Sequence, residues 1–167
     1  MILVYTGNGK GKTSACLGQV VRALGRGLRV AFAQFMKEDG CAGEQRMLAR
    51  LLGEDFLAGG RGFFRREEDR PLHRSAAEAT LAWARRRLAG YDVLVLDEAL
   101  YALRADLISR EELEALLREA REQECHVILS GRDAPGWLLD TAELVTSMEE
   151  IRHPWQQGLP AVSGVDF

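Results

Sequence analysis

Short apolar runs alternate along the whole chain with longer stretches in which apolar residues recur every third or fourth position. This alternation builds a mostly parallel sheet covered by helices on both faces, so the expected class is α/β. The run ILVYT at 2–6 reads as a buried strand that passes through glycines into a helix over 12–24, which Gly25 and Gly27 would end. A second strand, RVAFAQF at 29–35, is followed by a loop of charge, glycine and cysteine to 43 and a helix over 44–52. Residues 53–70 are rich in glycine, phenylalanine and charge without sustained periodicity, and read as an irregular segment. A helix over 75–88 then leads to the strand VLVLD at 93–97. The helix expected over 109–124 opens with Ser-x-x-Glu, in which Ser109 and Glu112 satisfy end amides, and carries Leu113, Leu116, Leu117 and Ala120 on one face. The strand HVILS at 126–130, the turn GRDAP and a last strand at 143–148 complete the series.

Composition narrows the class of function. A chain of 167 residues, 47% hydrophobic and 28% charged, suits one compact domain over 1–167. The formal net charge of −3 argues against nucleic acid or an anionic membrane surface as partner. Small molecules are the expected partners. Cys16, Cys41 and Cys125 have neither disulfide nor metal-ligand spacing, which suits a reducing compartment and hence the cytoplasm. The opening residues lack an export-signal pattern, and no apolar run reaches the roughly 18 residues of a membrane span.

The sharpest chemical signal is TGNGKGKTSA at 6–15, between an expected strand and an expected helix. Gly7, Gly9 and Gly11 let the backbone come close to phosphate oxygens, so that amides from Gly7 through Asn8 to Ser14 point inward at the positive end of the helix dipole. Lys12 would place its ammonium on the phosphates of ATP, and the Thr13 hydroxyl would be a ligand of Mg²⁺. Thr6 stands where the general pattern has glycine. Lys10 suits a phosphate contact and a solvated loop lysine about equally. The aliphatic run 93–96 delivers Asp97 and Glu98 to the carboxyl end of a buried strand, where they could hold Mg²⁺ directly or through water, or simply cap the next helix.

Other candidates are less specific. Arg132 could bring a cation to the triphosphate or be a surface arginine. His126 reads as a core histidine within an apolar strand, while His73 and His153 lie in loop-like sequence without zinc-ligand spacing. Arg65, Arg66 and Arg70 around Glu67, Glu68 and Asp69 describe a solvated, self-neutralising face. Phe63 and Phe64, flanked by Gly60 and Gly62, could pack in the core or cover a flat apolar ligand.

Taken in order, TGNGKGKTSA, AFAQFMKED, GEQRML, VLVLDEALY, VILSGRDAP and the segment from VTSMEEIRHPW to the end resemble the P-loop corrinoid adenosyltransferases. The resemblance covers nearly the whole chain. It implies a RecA-like parallel sheet, a homodimer, an electron-donating reductase as partner, and transfer of the 5′-deoxyadenosyl group of ATP to the cobalt of a cob(I) corrinoid in cobalamin biosynthesis. It further implies a nucleotide bound in the reverse sense along the loop, with Gly7 to Lys12 on the triphosphate, Asn8 on the nucleotide, and Thr13 with Glu98 on Mg²⁺. Asp97 would support the metal from behind. In the family a G-F-x-W pattern fills the lower face of the corrinoid and eases its reduction; here the segment is Gly62-Phe63-Phe64-Arg65, so Phe63 matches and Arg65 stands in the tryptophan position. Ser147 stands where relatives often have glutamate. The alternative is a generic P-loop ATPase or kinase, in which Glu98 would position a water or hydroxyl.

Overall fold

The computed structural model describes residues 1–165; the last two residues of the carboxyl-terminal motif fall outside it. Five-residue apolar stretches form strands β1 (Ile2–Thr6), β2 (Val30–Gln34), β4 (Val93–Asp97) and β5 (His126–Ser130), and shorter β3 (Phe56–Ala58) and β6 (Leu144–Ser147) lie at the two edges. The order is β3-β2-β4-β5-β1-β6, and every pairing is parallel. All six carboxyl ends therefore meet one edge of the sheet, which is where an open α/β sheet holds its ligands.

Helices cover both faces. On one side, α1 (Lys12–Leu24) and α2 (Gly43–Leu52) bury Cys16, Val20, Ala23 and Leu48 against Tyr5, Phe32 and Val95. On the other, α3 (Arg70–Arg85), α4 (Ala99–Arg104), α5 (Arg110–Glu122) and α6 (Gly136–Thr141) bury Leu81, Leu100, Leu113, Leu116 and Leu138 against Val4, Ala33, Leu94 and Leu129. The central strands β2 and β4 are buried at every position, as a sheet covered on both faces requires.

The expected α5 cap is present: Glu112 N donates to Ser109 Oγ at 3.1 Å and Ser109 N donates to Glu112 Oε2 at 2.6 Å. Other expectations need correction. Within 53–70, β3 pairs Phe56 with Phe32 and Ala58 with Gln34; three residues carry no periodicity of their own, so only the neighbouring strand defines it. Helix α3 starts at Arg70, earlier than expected, because Pro71 sits in its first turn, where a missing N–H costs nothing. His73 accordingly lies on a helix, buried, with its ring 5.4 Å from that of Phe64. His126 is exposed at the first position of β5, so it is not a core residue. The six-residue helices α4 and α6, which come after β4 and β5, have no counterpart among the expected elements; they are too short to declare a period. Among the described residues, no helix is long and apolar enough to cross a membrane.

Candidate functional site

The loop between β1 and α1 is held by close backbone packing. Gly7 has φ 91°, and a Cβ there would lie 2.4 Å from the Met148 carbonyl oxygen; at Gly9 a Cβ would lie 2.7 Å from the Glu149 carbonyl. Gly9 N donates to that Met148 oxygen at 2.8 Å, so only glycines let the chain after β6 press against the loop. Lys12 Nζ donates to Gly7 O at 2.8 Å and Gly9 O at 2.6 Å, placing the ammonium inside the loop's arc. Burial, then the charge of Arg132, lowers its pKa below the ordinary lysine value. Thr6 needs no glycine: it ends β1 paired with Ser147, and its hydroxyl accepts from Ala134 N at 3.2 Å.

Opposite α1 stand two neighbouring carboxylates in contrasting surroundings. Asp97 is fully buried; its Oδ1 accepts from Ser130 Oγ at 2.6 Å and Thr13 Oγ1 at 3.1 Å, and its Oδ2 from Gln34 Nε2 at 3.1 Å. β5 separates β4 from β1 in the sheet, and its Ser130 provides the bridge. Glu98 leaves β4 in the left-handed region, φ 59°, with its amide donating to Ser130 Oγ at 2.9 Å. A non-glycine residue there costs on the order of 1–3 kcal/mol and marks a site whose surroundings enforce it. Its Oε2 is buried without a hydrogen-bond partner among the described residues. Burial first, and Asp97 beside it second, push the Glu98 carboxyl up to about 7. Lys37 follows β2, and its Nζ meets Glu44 Oε1 at 2.7 Å, Thr13 Oγ1 at 3.3 Å and Asp97 Oδ2 at 3.4 Å. Burial opposes its charge, but Asp97 and Glu44 outweigh that and raise its pKa; burial likewise opposes the Glu44 charge, and Lys37 keeps that carboxyl lowered.

A cavity of about 740 Å³ opens over this group. Gly9, Lys10, Gly11, Lys12, Thr13 and Ser14 of the loop line it, together with Glu98, Phe63 and Arg132. Gly7 and Asn8 line a neighbouring cavity with Ser147, Met148, Trp155 and again Arg132, and the buried Asp97 lines neither. Phe63 is 61% exposed and so is not a core residue, whereas Phe64 packs against the core. The Phe63 ring stands edge-on to Tyr101, centroids 6.0 Å apart. Arg104 lies over Tyr101 and pairs with Asp133. Sequence reasoning did not single out Lys37, Glu44, Ser130 or Tyr101. Gln34, a polar residue inside an otherwise apolar strand, was the available sign that β2 ends in this network.

The model of the family described as ATP:corrinoid adenosyltransferase BtuR/CobO/CobP matches residues 1–167. The chain belongs to this family. A corrinoid adenosyltransferase of Pseudomonas aeruginosa is 37% identical over 170 residues, covering 100% of this chain and 83% of that protein. One of Sinorhizobium is 36% identical, covering 100% of this chain and 80% of its own, and the corrinoid adenosyltransferase CobA of Salmonella typhimurium is 34% identical, covering 100% and 85%. Among solved structures the RadB recombinase superposes with a TM-score of 0.53 at 16% identity, covering 90% of this chain and 76% of its own, which identifies the fold as P-loop and RecA-like and no more. Within a corrinoid adenosyltransferase, ATP and a corrinoid are the substrates, and the generic ATPase or kinase alternative loses to the more specific family.

Proposed function

We propose that this chain transfers the 5′-deoxyadenosyl group of ATP to the cobalt of a cob(I) corrinoid and releases inorganic triphosphate. One observation carries the reading: two unlike walls line one cavity, an amide-rich glycine loop and an exposed aromatic ring backed by Tyr101. A hydrolase would give the second wall no task. In the transfer the electron pair of cobalt(I) forms the bond to C5′, the C5′–O bond breaks, and its pair leaves with the triphosphate. The protein then needs no nucleophile of its own. That agrees with a Cys16 thiol buried and pushed up by that burial, and a Ser130 hydroxyl committed to Asp97.

The residues divide the remaining work. Amides from Gly7 to Ser14, with the ammonium of Lys12 and the cations of Lys10 and Arg132, hold the triphosphate and offset the charge that grows on it, with the nucleotide lying in the reverse sense. Thr13 and Glu98 would hold Mg²⁺, which when bound would offset the negative charge of the triphosphate. These residues fit a hard cation: Glu98 Oε2 is an orphaned buried oxygen, and Thr13 Oγ1, which donates to Asp97 and accepts from Lys37, keeps a second lone pair. No cluster of three or more His, Cys, Asp or Glu suited to a metal occurs among the described residues. That agrees with a cation carried by one carboxylate, one hydroxyl and the nucleotide itself. Phe63 covers the lower face of the corrinoid and Asn8 contacts the nucleotide. The unit over 1–167 works as one domain, as a homodimer in the cytoplasm, supplied with electrons by a reductase.

The test is an anaerobic incubation with ATP, Mg²⁺ and chemically reduced cobalamin. Growth of the adenosylated corrinoid spectrum is expected; ADP and orthophosphate with an unaltered corrinoid spectrum would replace this reading with the ATPase or kinase.

A further inference from the structure

Two carboxylates one residue apart share one site, yet one is saturated and the other is orphaned. Asp97 accepts from Ser130, Thr13 and Gln34, and the ammonium of Lys37 completes its shell at 3.4 Å. A carboxylate offers about four acceptor positions, and those of Asp97 are taken by protein donors. Glu98 Oε2 has none. Lys37 comes from the segment after β2, and its side chain is only 22% exposed, held from the other side by Glu44 of α2. Gln34 ties the same two acids together, donating to Glu44 Oε1 at 3.2 Å as well as to Asp97. The Lys37 ammonium thus already sits as a cation on Asp97, and the Thr13 hydroxyl is oriented between the two.

We propose that Lys37 is a positioning residue that assigns different roles to the two adjacent carboxylates: it occupies Asp97, and thereby leaves the divalent cation to Thr13 and Glu98. This rests on the site carrying a metal, as proposed above. Without the ammonium, Asp97 and Glu44 become anionic oxygens free to compete for the ion, which would then leave the place where it meets the nucleotide. A lysine serving only to pin β2 to α2 would change metal affinity through its charge alone and would not decide which of the two carboxylates holds the ion.

Mn²⁺ binding to the full-length protein, followed by its paramagnetic resonance with and without ATP, separates the two. In Lys37→Met, Mn²⁺ alone should bind roughly tenfold or more tightly than in the unsubstituted protein, because one nearby positive charge is lost and acidic oxygens are freed. Adding Asp97→Asn to Lys37→Met should erase the gain, and Lys37→Arg should resemble the unsubstituted protein. With Lys37 intact, Asp97→Asn should weaken Mn²⁺ in the presence of ATP far less than Glu98→Gln does. This comparison stands even if Lys37→Met does not fold. Equal losses in Asp97→Asn and Glu98→Gln, or an Mn²⁺ affinity indifferent to Lys37→Met, would overturn the assignment of Lys37 alone. Absence of any ATP-dependent Mn²⁺ signal in the unsubstituted protein would remove the metal site and the role of Lys37 with it.

Discussion

The phosphate loop and the Phe63 segment face the same cavity and are both rich in glycine, but they are built in opposite ways. In the loop, Gly7 and Gly9 lie against the backbone of 148–149, and Lys12 is tied to two carbonyls. The Phe63 segment is anchored on both sides of a ring that itself stands out, and after it Phe64 packs against the core. A Cβ at Gly59 would meet the Thr80 hydroxyl at 2.0 Å and one at Gly60 the Met36 carbonyl carbon at 2.2 Å, and Gly62 N donates to Met36 O at 2.8 Å. On either side of Phe64, the Phe63 ring and Arg65 are exposed. A triphosphate presents the same oxygens in every nucleotide, so its cradle can be preformed. A corrin face is broad and apolar, and a ring projecting from an anchored stem can settle onto it.

Substitutions can break that contrast. The largest effect is expected from Lys12→Ala, which should weaken ATP binding by about 100-fold or more in calorimetry while leaving corrinoid binding intact. Comparable losses for both ligands would mean that the two walls are not separate. Next, Gly7→Ala should cost on the order of 3 kcal/mol of folding stability, since a positive φ and a backbone collision coincide there. Gly62→Ala, with φ 79° but only the Glu38 side chain at 3.5 Å, should cost about 1 kcal/mol. Equal costs in chemical denaturation would contradict the difference in packing.

Glu98 gives an effect of similar or smaller size. Its carboxyl is raised from 4.5 to about 7 in the fold. The associated stability is therefore full below the ordinary glutamate value and is lost as pH rises through about 7, a change on the order of 3 kcal/mol. Denaturation of the nucleotide-free protein between pH 5 and about 8.5 should show this slope, and Glu98→Gln should flatten it. The smallest effect on binding and stability is expected from Phe63→Ala: ATP affinity and stability nearly unchanged, since the ring is exposed, and adenosylation under weak reduction slowed about tenfold. Unchanged adenosylation would remove Phe63 from the corrinoid face.

Legibility in the sequence follows the same division. The loop between β1 and α1 could be read from TGNGKGKTSA because holding phosphates, as proposed, calls for glycines and a lysine at fixed offsets between a strand and a helix, all within ten residues. Asp97 and Glu98 were legible as acids ending an apolar run, but their unlike surroundings were not. Those depend on Gln34 and Ser130, delivered by other strands, and on Lys37 from the segment after β2. The irregular reading of 53–70 missed β3 for the same reason, since three residues become a strand only beside Phe32 to Gln34. Tyr101 lies on a six-residue helix that no local period announces, so the support behind Phe63 emerges only in three dimensions.

The central claim is that the phosphate wall releases what the aromatic wall does not take. Phosphorus resonance of the products formed from ATP and an excess of reduced corrinoid tests it most directly. Triphosphate appearing one-for-one with adenosylated corrinoid is the predicted result; ADP and orthophosphate in its place would contradict the account.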